Sequence, residues 1–277
     1  MQIKQALQEA RECLGQTESS VLDAQVLLAH VLKQSREYLL TWPEHELSKG
    51  DQKQFFTLIE ARQAGQPVAY LTGCRDFWDF SLSLSPAVLI PRPETELLVE
   101  LALALLPAGN TVLADLGTGS GAIALALAKE RPQWRVIASD QSPEALQVAR
   151  HNAHTLQVTN LDFRLGNWCE VFAENEKLDA IIANPPYIDE ADSHLQQGDV
   201  QFEPRSALVA GKAGFADLEA IAHQARHHLR PQGLLLLEHG YEQGAALRQM
   251  LEQYGYNEVQ SNKDLAGHER VTLARLT

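Results

Sequence analysis

The chain has 277 residues, with 23 Lys+Arg against 36 Asp+Glu and a formal net charge of -13. Hydrophobic residues at 45% and charged residues at 21% form an ordinary globular composition, which rules out disorder as the dominant state because a large core can be buried. The acidic balance disfavours a protein whose main task is gripping nucleic-acid phosphates, since that needs a net basic face.

Three cysteines, Cys13, Cys74 and Cys169, are too few and too scattered for a disulfide framework or a metal knuckle. The start has no long apolar run, so no secretory signal is expected. No stretch approaches the roughly 18 apolar residues of a membrane span. The expectation is a cytoplasmic protein without a membrane partner.

The first 64 residues read as helices. Ile3, Leu7, Ala10 and Leu14 recur at helical spacing, and Ser20 to Asp23 resembles a capping box ahead of an apolar run through Leu32. Asp51 to Ala64 puts Phe55, Leu58 and Ile59 on one stripe, with Gly65 and Pro67 as the stop. Helices this short cannot bury their stripes alone, so they are expected to form a small bundle.

The period then changes to two. Phe80, Leu82 and Leu84 alternate with Ser81, Ser83 and Ser85 and read as a strand. With Asp76 to Trp78 it is expected to form a hairpin linker. Pro91-Arg92-Pro93 follows, and a helix is expected from near Thr95 to Leu106.

From residue 111 strands and helices alternate. Strands are expected at Val112–Leu116, Arg135–Ser139, Leu161–Leu165, Leu178–Ala183 and Leu234–Glu238. Helices are expected at Ala122–Glu130, Pro143–Asn152, Ala216–Leu229 and Gln243–Tyr254. This alternation predicts an α/β fold with a mostly parallel sheet covered on both faces. Glu258–Ser261 and Val271–Leu276 read as two strands joined by a polar loop, which predicts an antiparallel strand at one edge. The expected organisation is a helical domain over 1–75, the hairpin linker over 76–92 and a ligand-binding domain over 93–277.

The first strand of the α/β part ends in Asp115-Leu-Gly117-Thr118-Gly119-Ser120-Gly121, and a helix follows directly. Glycines let the chain turn sharply and let a ligand approach the backbone, whose free N–H groups face it at the helix start. Asp140 ends the next strand, where a carboxylate can accept two ribose hydroxyls. Ligands in such sheets bind beyond the carboxyl ends of the strands, so a nucleoside-containing ligand is expected. Gly117, Gly119 and Ala122 also satisfy the dinucleotide fingerprint G-x-G-x-x-A, and a tight turn without a ligand is the bland reading. The glycine-rich form resembles the first motif of class I methyltransferases, which bind S-adenosylmethionine. That resemblance puts Asp115 near the methionine end of the cofactor, through the loop backbone.

The strand Leu178–Ala183 runs into Asn184-Pro185-Pro186-Tyr187. A residue before proline is held extended, and two prolines fix φ and remove two donors. The strand tip is therefore an acceptor-rich corner made of the Asn184 side-chain oxygen and the Pro185 carbonyl, with the aromatic face of Tyr187 beside it. Such a corner suits a planar NH2 group.

Together with Ile90-Pro-Arg92-Pro-Glu94-Thr-Glu96, Phe202-Glu203-Pro204 and Glu238-His239-Gly240, these motifs resemble the N5-glutamine methyltransferases of class I peptide chain release factors. The resemblance covers nearly the whole chain. It implies a class I methyltransferase (Rossmann-like) fold, S-adenosyl-L-methionine as methyl donor with S-adenosyl-L-homocysteine as product, and the Gly-Gly-Gln glutamine of a release factor as substrate. It places Gly117, Thr118, Gly119, Ser120, Gly121, Asp140, Trp168 and Asn184 at the cofactor, with Trp168 flanking the adenine, and Asn184, Pro185, Pro186 and Tyr187 at the substrate. Arg92 and Glu94 are candidates to close over the site, while Glu203 is read as a local cap or pair.

Three rivals remain. An adenine-N6 DNA methyltransferase uses the same corner on a flipped base, but the charge of -13 and the lack of a basic recognition domain weigh against it. A nicotinamide oxidoreductase leaves Asn-Pro-Pro-Tyr unused, and a non-catalytic nucleoside-binding adaptor has no need of Asn184 and Tyr187. Among the ten histidines, His151 with His154 and His227 with His228 form pairs that no carboxylate or cysteine completes, so no metal is expected.

Overall fold

The computed structural model describes residues 1–15 and 19–277. The chain divides into two compact units, one made of Met1–Cys74 and Gln196–Phe202, the other of Arg75–Leu195 and Glu203–Thr277.

The first unit is a bundle of α1 (Ile3–Leu14), α2 (Ser20–Leu32), α3 (Arg36–Thr41), α4 (Lys49–Gln63) and α5 (Val68–Thr72). The expected stripes face inward. Ile3, Ala6 and Ala10 of α1 meet Leu27 and Leu28 of α2, and Phe55 and Ile59 of α4, in one core. Burying each large side chain stabilises the bundle by about 1.5–3 kcal/mol. The capping box expected at Ser20 does not form, because Ser20 is already inside the first turn and Ser19 precedes it without a side-chain cap. α4 is capped by Ser48, whose hydroxyl accepts from the Asp51 N–H at 3.1 Å. After α4 the chain turns at Gly65, with φ 95°. Arg62 at the end of α4 donates to both Asp23 and Asp199, each at 2.8 Å, and so ties the returning segment into this unit.

The expected hairpin follows, β1 (Cys74–Phe77) with β2 (Phe80–Ser83), all of it but Cys74 in the second unit. Its turn holds Trp78 at φ 59°, a conformation stabilised by the Trp78 N–H donating to Glu96 and its indole N–H donating to Glu130. A 3-10 turn (Pro93–Thr95) leads into α6 (Glu96–Leu105). The sheet then follows: β3 (Val112–Leu116), α7 (Ala122–Glu130), β4 (Arg135–Asp140), α8 (Pro143–Thr155), β5 (Leu161–Leu165) and β6 (Leu178–Ala183). The chain continues through the single turn α9 (Gly211–Gly214), α10 (Ala216–Ala225), β7 (Leu229–Glu238), α11 (Gly244–Gln253), β8 (Tyr256–Lys263) and β9 (Glu269–Leu276).

The strand order is β5-β4-β3-β6-β7-β9-β8. β3 to β7 are mutually parallel, and β9 runs antiparallel to both β7 and β8. The antiparallel strand thus lies at the β7 end of the sheet, one place in from the rim. On one face Ala114, Leu116, Ile181, Ala183, Leu235 and Leu237 pack on Leu218, Ile221 and Ala222 of α10 and Leu247 and Leu251 of α11. This is why the parallel strands read as apolar runs.

Several boundaries shift from expectation by one to five residues, and one of the shifts has a clear cause in the sheet. α10 stops at Ala225 rather than Leu229, because Leu229 is already paired with Leu178 in the sheet. The next pairing on β7 is Leu234 with Ala180, so the chain bulges between them, with Gln232 at φ 64°.

Candidate active site

The strand order reverses between β3 and β6, the switch point at which such sheets bind ligands. Leu116, the last residue of β3, pairs with Ala183, the last of β6. That register sets the glycine loop beside Asn184. On the other side Leu116 pairs with Ser139, so Asp140 ends β4 next to the same loop. A cleft of about 660 Å³ opens there, lined by Gly117, Gly119, Asp140, Trp168, Asn184 and Pro186 among others.

The loop is built from beneath. Asp115 is fully buried, and its Oδ2 accepts from the Thr118 hydroxyl at 2.6 Å and the Ala124 N–H at 3.2 Å. Burial pushes its carboxyl up to about 7, against the opposing pull of those two bonds. The Gly117 and Thr118 N–H groups both donate to the Ser139 carbonyl. Gly117, Gly119 and Gly121 have φ 73°, 55° and 88°, which only glycine adopts cheaply. A side chain on Gly117 would press on the Trp168 ring at 3.2 Å, whereas nothing lies within 4 Å above Gly119. Thr118, Ser120 and Gly121 face away from the cleft. Thr118 serves Asp115, the Ser120 carbonyl accepts from Asn152 at 2.9 Å, and Gly121 packs under Leu125 and Ala149. Asp115 likewise acts on the loop from within, through its bonds to Thr118 and the Ala124 N–H.

Asp140 accepts from the Gly119 N–H through Oδ2 and from the Ser142 N–H through Oδ1, each at 2.9 Å. Burial raises its pKa and those backbone bonds oppose the rise. Trp168 stands at φ 43° in a 3-10 turn, its indole N–H donating to Asp217 at 3.1 Å, which fixes the ring over Gly117.

The Asn184 Nδ2 donates to Thr95 Oγ1 at 3.2 Å. Pro185 is buried behind it. Tyr187 does not line the cleft. Its ring packs against the sheet core, its hydroxyl donates to Glu238 at 3.4 Å and its carbonyl accepts from Gln243. Burial and the nearby Glu238 charge push the Tyr187 hydroxyl well above its ordinary pKa. Glu238 itself, buried at the end of β7, is raised to about 7 by burial.

The cleft has a roof that sequence reasoning missed. Ala87, Val88 and Leu89 line it from one segment, Pro204, Ser206 and Ala207 from another. Glu203 clasps the two, accepting from the Ile90 N–H at 3.0 Å and from Arg92 at 2.5 Å. The reading of Glu203 as a local cap or pair is corrected: its partners lie more than a hundred residues away. The signal was present in the Ile90 to Glu96 and Phe202 to Pro204 motifs, but a long-range ion pair has no local pattern. Glu94 lines a separate groove with Glu96, Leu97 and Asp264. Among the described residues no three His, Cys, Asp or Glu side chains form a metal-holding group, and no helix is long and apolar enough to cross a membrane.

Residues 108–272 match the family described as methyltransferase domain, and residues 5–73 the one described as PrmC N-terminal domain. A methyltransferase structure from Pyrococcus furiosus superposes with a TM-score of 0.54 at 18% identity, over 82% of this chain and 98% of that one, a likeness of fold. The protein named release factor glutamine methyltransferase in Vibrio cholerae is 49% identical over 99% of this chain and 96% of its own length. Its namesake in Salmonella typhimurium is 47% identical over 100% of both, and that of Escherichia coli 46% over 99% of both. With relatives this similar along almost its entire length, the chain belongs to the release factor glutamine methyltransferase family, S-adenosylmethionine-dependent enzymes.

Proposed function

We propose that this chain methylates the side-chain nitrogen, N5, of the Gly-Gly-Gln glutamine in class I peptide chain release factors, in support of translation termination. The observation that carries the reading is the pairing of Leu116 with Ala183, which sets the Asn184 tip against the glycine loop in one cleft.

The residues fit the cofactor. The open space above Gly119 lets a ligand meet backbone, Asp140 offers a carboxylate for a ribose, and Trp168 offers a ring face to an adenine. When bound, S-adenosylmethionine supplies an electrophilic methyl group to the cleft. Thr118, Ser120 and Gly121 contribute by holding the loop that makes this cradle.

An amide nitrogen is a poor nucleophile because its lone pair is shared with the carbonyl, a resonance reflected in the ~18–20 kcal/mol barrier to peptide rotation. The chain's task is therefore to bind and orient. Asn184 Oδ1 and the Pro185 carbonyl accept the two amide hydrogens of the substrate, and Pro186 and Tyr187 keep that corner rigid. Fixed placement of the nitrogen supplies several kcal/mol of the barrier lowering. No general base is assigned; the proton leaves to water once the nitrogen is methylated.

The helical unit is read as the part that recognises the release factor, and the cytoplasm as the compartment in which the two meet. No nucleic acid, membrane or metal enters this reading. The test is incubation with labelled S-adenosylmethionine and a full-length release factor. Label should enter the factor, disappear when the Gly-Gly-Gln glutamine is replaced, and stay off adenine-containing DNA. Labelled DNA with an unlabelled factor overturns the reading in favour of the adenine rival.

A further inference from the structure

Two prolines in succession leave the corner without N–H groups between Asn184 and Tyr187. Hydrogen bonds can then fix it only at its ends or through its carbonyls, and the Pro185 carbonyl is needed by the substrate. The near end is Asn184, which follows β6 directly and is tied to Thr95. The far end is the Tyr187 carbonyl, which accepts from Gln243 Nε2 at 3.1 Å. Gln243 stands half-buried at the start of α11. Its Oε1 accepts from the Gly240 N–H at 2.8 Å, and its own N–H donates back to the Gly240 carbonyl at 2.9 Å. An amide with its oxygen on a donor and its nitrogen on a carbonyl has one orientation. The turn after Glu238-His239-Gly240 is thereby linked to the end of Asn184-Pro-Pro-Tyr187.

The same carbonyl is enclosed from a second side. A Cβ on Gly214 would lie 2.2 Å from the Tyr187 oxygen and 2.7 Å from Gln243 Nε2, so only a bare Cα fits there. Gly214, at φ 85°, ends a left-handed run begun by Lys212 at φ 53° and Ala213 at φ 54°. Non-glycine residues rarely adopt that conformation, and the strain brings a glycine against the carbonyl. The next residue, Ile188, is held as well: its N–H donates to Leu208 and its carbonyl accepts from Ala210, each at 3.0 Å. We propose that Gln243 is a positioning residue for methyl transfer: with Gly214 it holds the Tyr187 carbonyl, and so fixes the direction in which Asn184 and the Pro185 carbonyl face the substrate amide. This rests on the glutamine reading above. Gln243 is not among the residues lining the cleft, so its removal should act on kcat and not on cofactor affinity. A reacting group misplaced by about 1 Å costs on the order of 10²-fold in rate.

The experiment uses the full chain and a full-length release factor. Gln243→Glu keeps the size of the side chain and the acceptor for Gly240, but sets a carboxylate oxygen against the Tyr187 carbonyl. Gln243→Met keeps the length and removes both bonds, and it carries the test if the new charge lowers Tm. Each should lower kcat roughly tenfold to a hundredfold, with KM for the factor and Kd for S-adenosylmethionine little changed. Gly214→Ala, which pushes on the same carbonyl, should lose kcat in the same way. Because Gln243 acts through the corner, its loss and that of Asn184 should be less than additive: in an Asn184→Ala background Gln243→Met should cost less than it does in wild type. Wild-type kcat in Gln243→Met overturns the proposal. So does a loss that appears in KM or in cofactor Kd with kcat unchanged, or one that stays undiminished in the Asn184→Ala background, the mark of a general structural role. An unlabelled factor with wild-type enzyme overturns the glutamine reading itself, and this proposal with it.

Discussion

Arg92 and Glu203 meet as an ion pair at 2.5 Å across 111 residues of chain, the Glu203 side chain wholly buried and Arg92 one-third exposed. The two segments that they join form the roof of the cleft, Ala87–Leu89 on one side and Pro204–Ala207 on the other. Taking away one partner leaves a buried charge short of its strongest donor. Arg92→Met should therefore cost about 1.5–3 kcal/mol, the value of a hydrogen bond to a charged group. It should weaken S-adenosylmethionine binding as the roof loosens. Glu203→Gln keeps an acceptor for the Ile90 N–H and should be milder. Urea unfolding and titration calorimetry read both effects; unchanged values for Arg92→Met remove the pair from the site.

Asp140 has two duties, since its Oδ2 also holds the Gly119 N–H. Asp140→Ala should weaken cofactor binding by about 1.5–3 kcal/mol, or roughly tenfold to a hundredfold in Kd. Asp140→Asn keeps a neutral acceptor for Gly119 and loses only the charge, so it should fall between wild type and Ala. Calorimetry with Asp140→Ala bound as tightly as wild type rejects the ribose assignment.

Asp115 links the loop to pH. Its carboxyl titrates near 7 in the folded chain and near 3.8 when unfolded. Below pH 3.8 both states hold the proton. Between that value and 7 the unfolded chain ionises while the folded one keeps its proton, so stability from this group is lost as pH rises, and the loss is complete above 7. Each pKa unit is worth about 1.4 kcal/mol, so the loss reaches a few kcal/mol. Asp115→Asn does not titrate. Its stability relative to wild type should climb from pH 4 to 7 and then level off, whatever its absolute value. A difference that is flat with pH, measured by chemical unfolding, shows that the carboxyl is not held neutral.

Local chemistry was legible and distant partnership was not. The glycine loop and Asn184-Pro-Pro-Tyr187 announce themselves because each motif does its work within a few residues. Val112–Leu116 and Leu178–Ala183 read as strands because a parallel strand buried on both faces is an unbroken apolar run. The pairing of Leu116 with Ala183, which assembles the site, has no trace in either strand alone. Asn152 reads as an ordinary helix residue, yet it is buried and bonds to the Ser83 backbone and the Ser120 carbonyl. Trp78 at φ 59° defies its own propensity because Glu96 and Glu130 hold it there. Arg36–Thr41 and Val68–Thr72 are too short to show a period of their own.

The sharpest test of the chemistry is Asn184. It sits at the tip of β6, half-buried, and its one side-chain hydrogen bond among the described residues, at 3.2 Å, is to Thr95. Asn184→Ala should leave the fold close to wild type, at a cost of about 1 kcal/mol for that bond. It should lower kcat by roughly 10²–10³, the cost of removing a preorganised polar partner of the reacting group. Tyr187 separates two further contributions. Its ring packs on the core behind the corner, whereas its hydroxyl makes only a long contact of 3.4 Å with Glu238. Tyr187→Ala should therefore lose most activity by letting the corner collapse, and Tyr187→Phe should retain most of it. Single-turnover methyl transfer to a release factor across pH 6 to 9 reads all three variants. Full activity in Asn184→Ala would remove the side-chain oxygen from the reaction and leave the Pro185 carbonyl as the only acceptor at the corner.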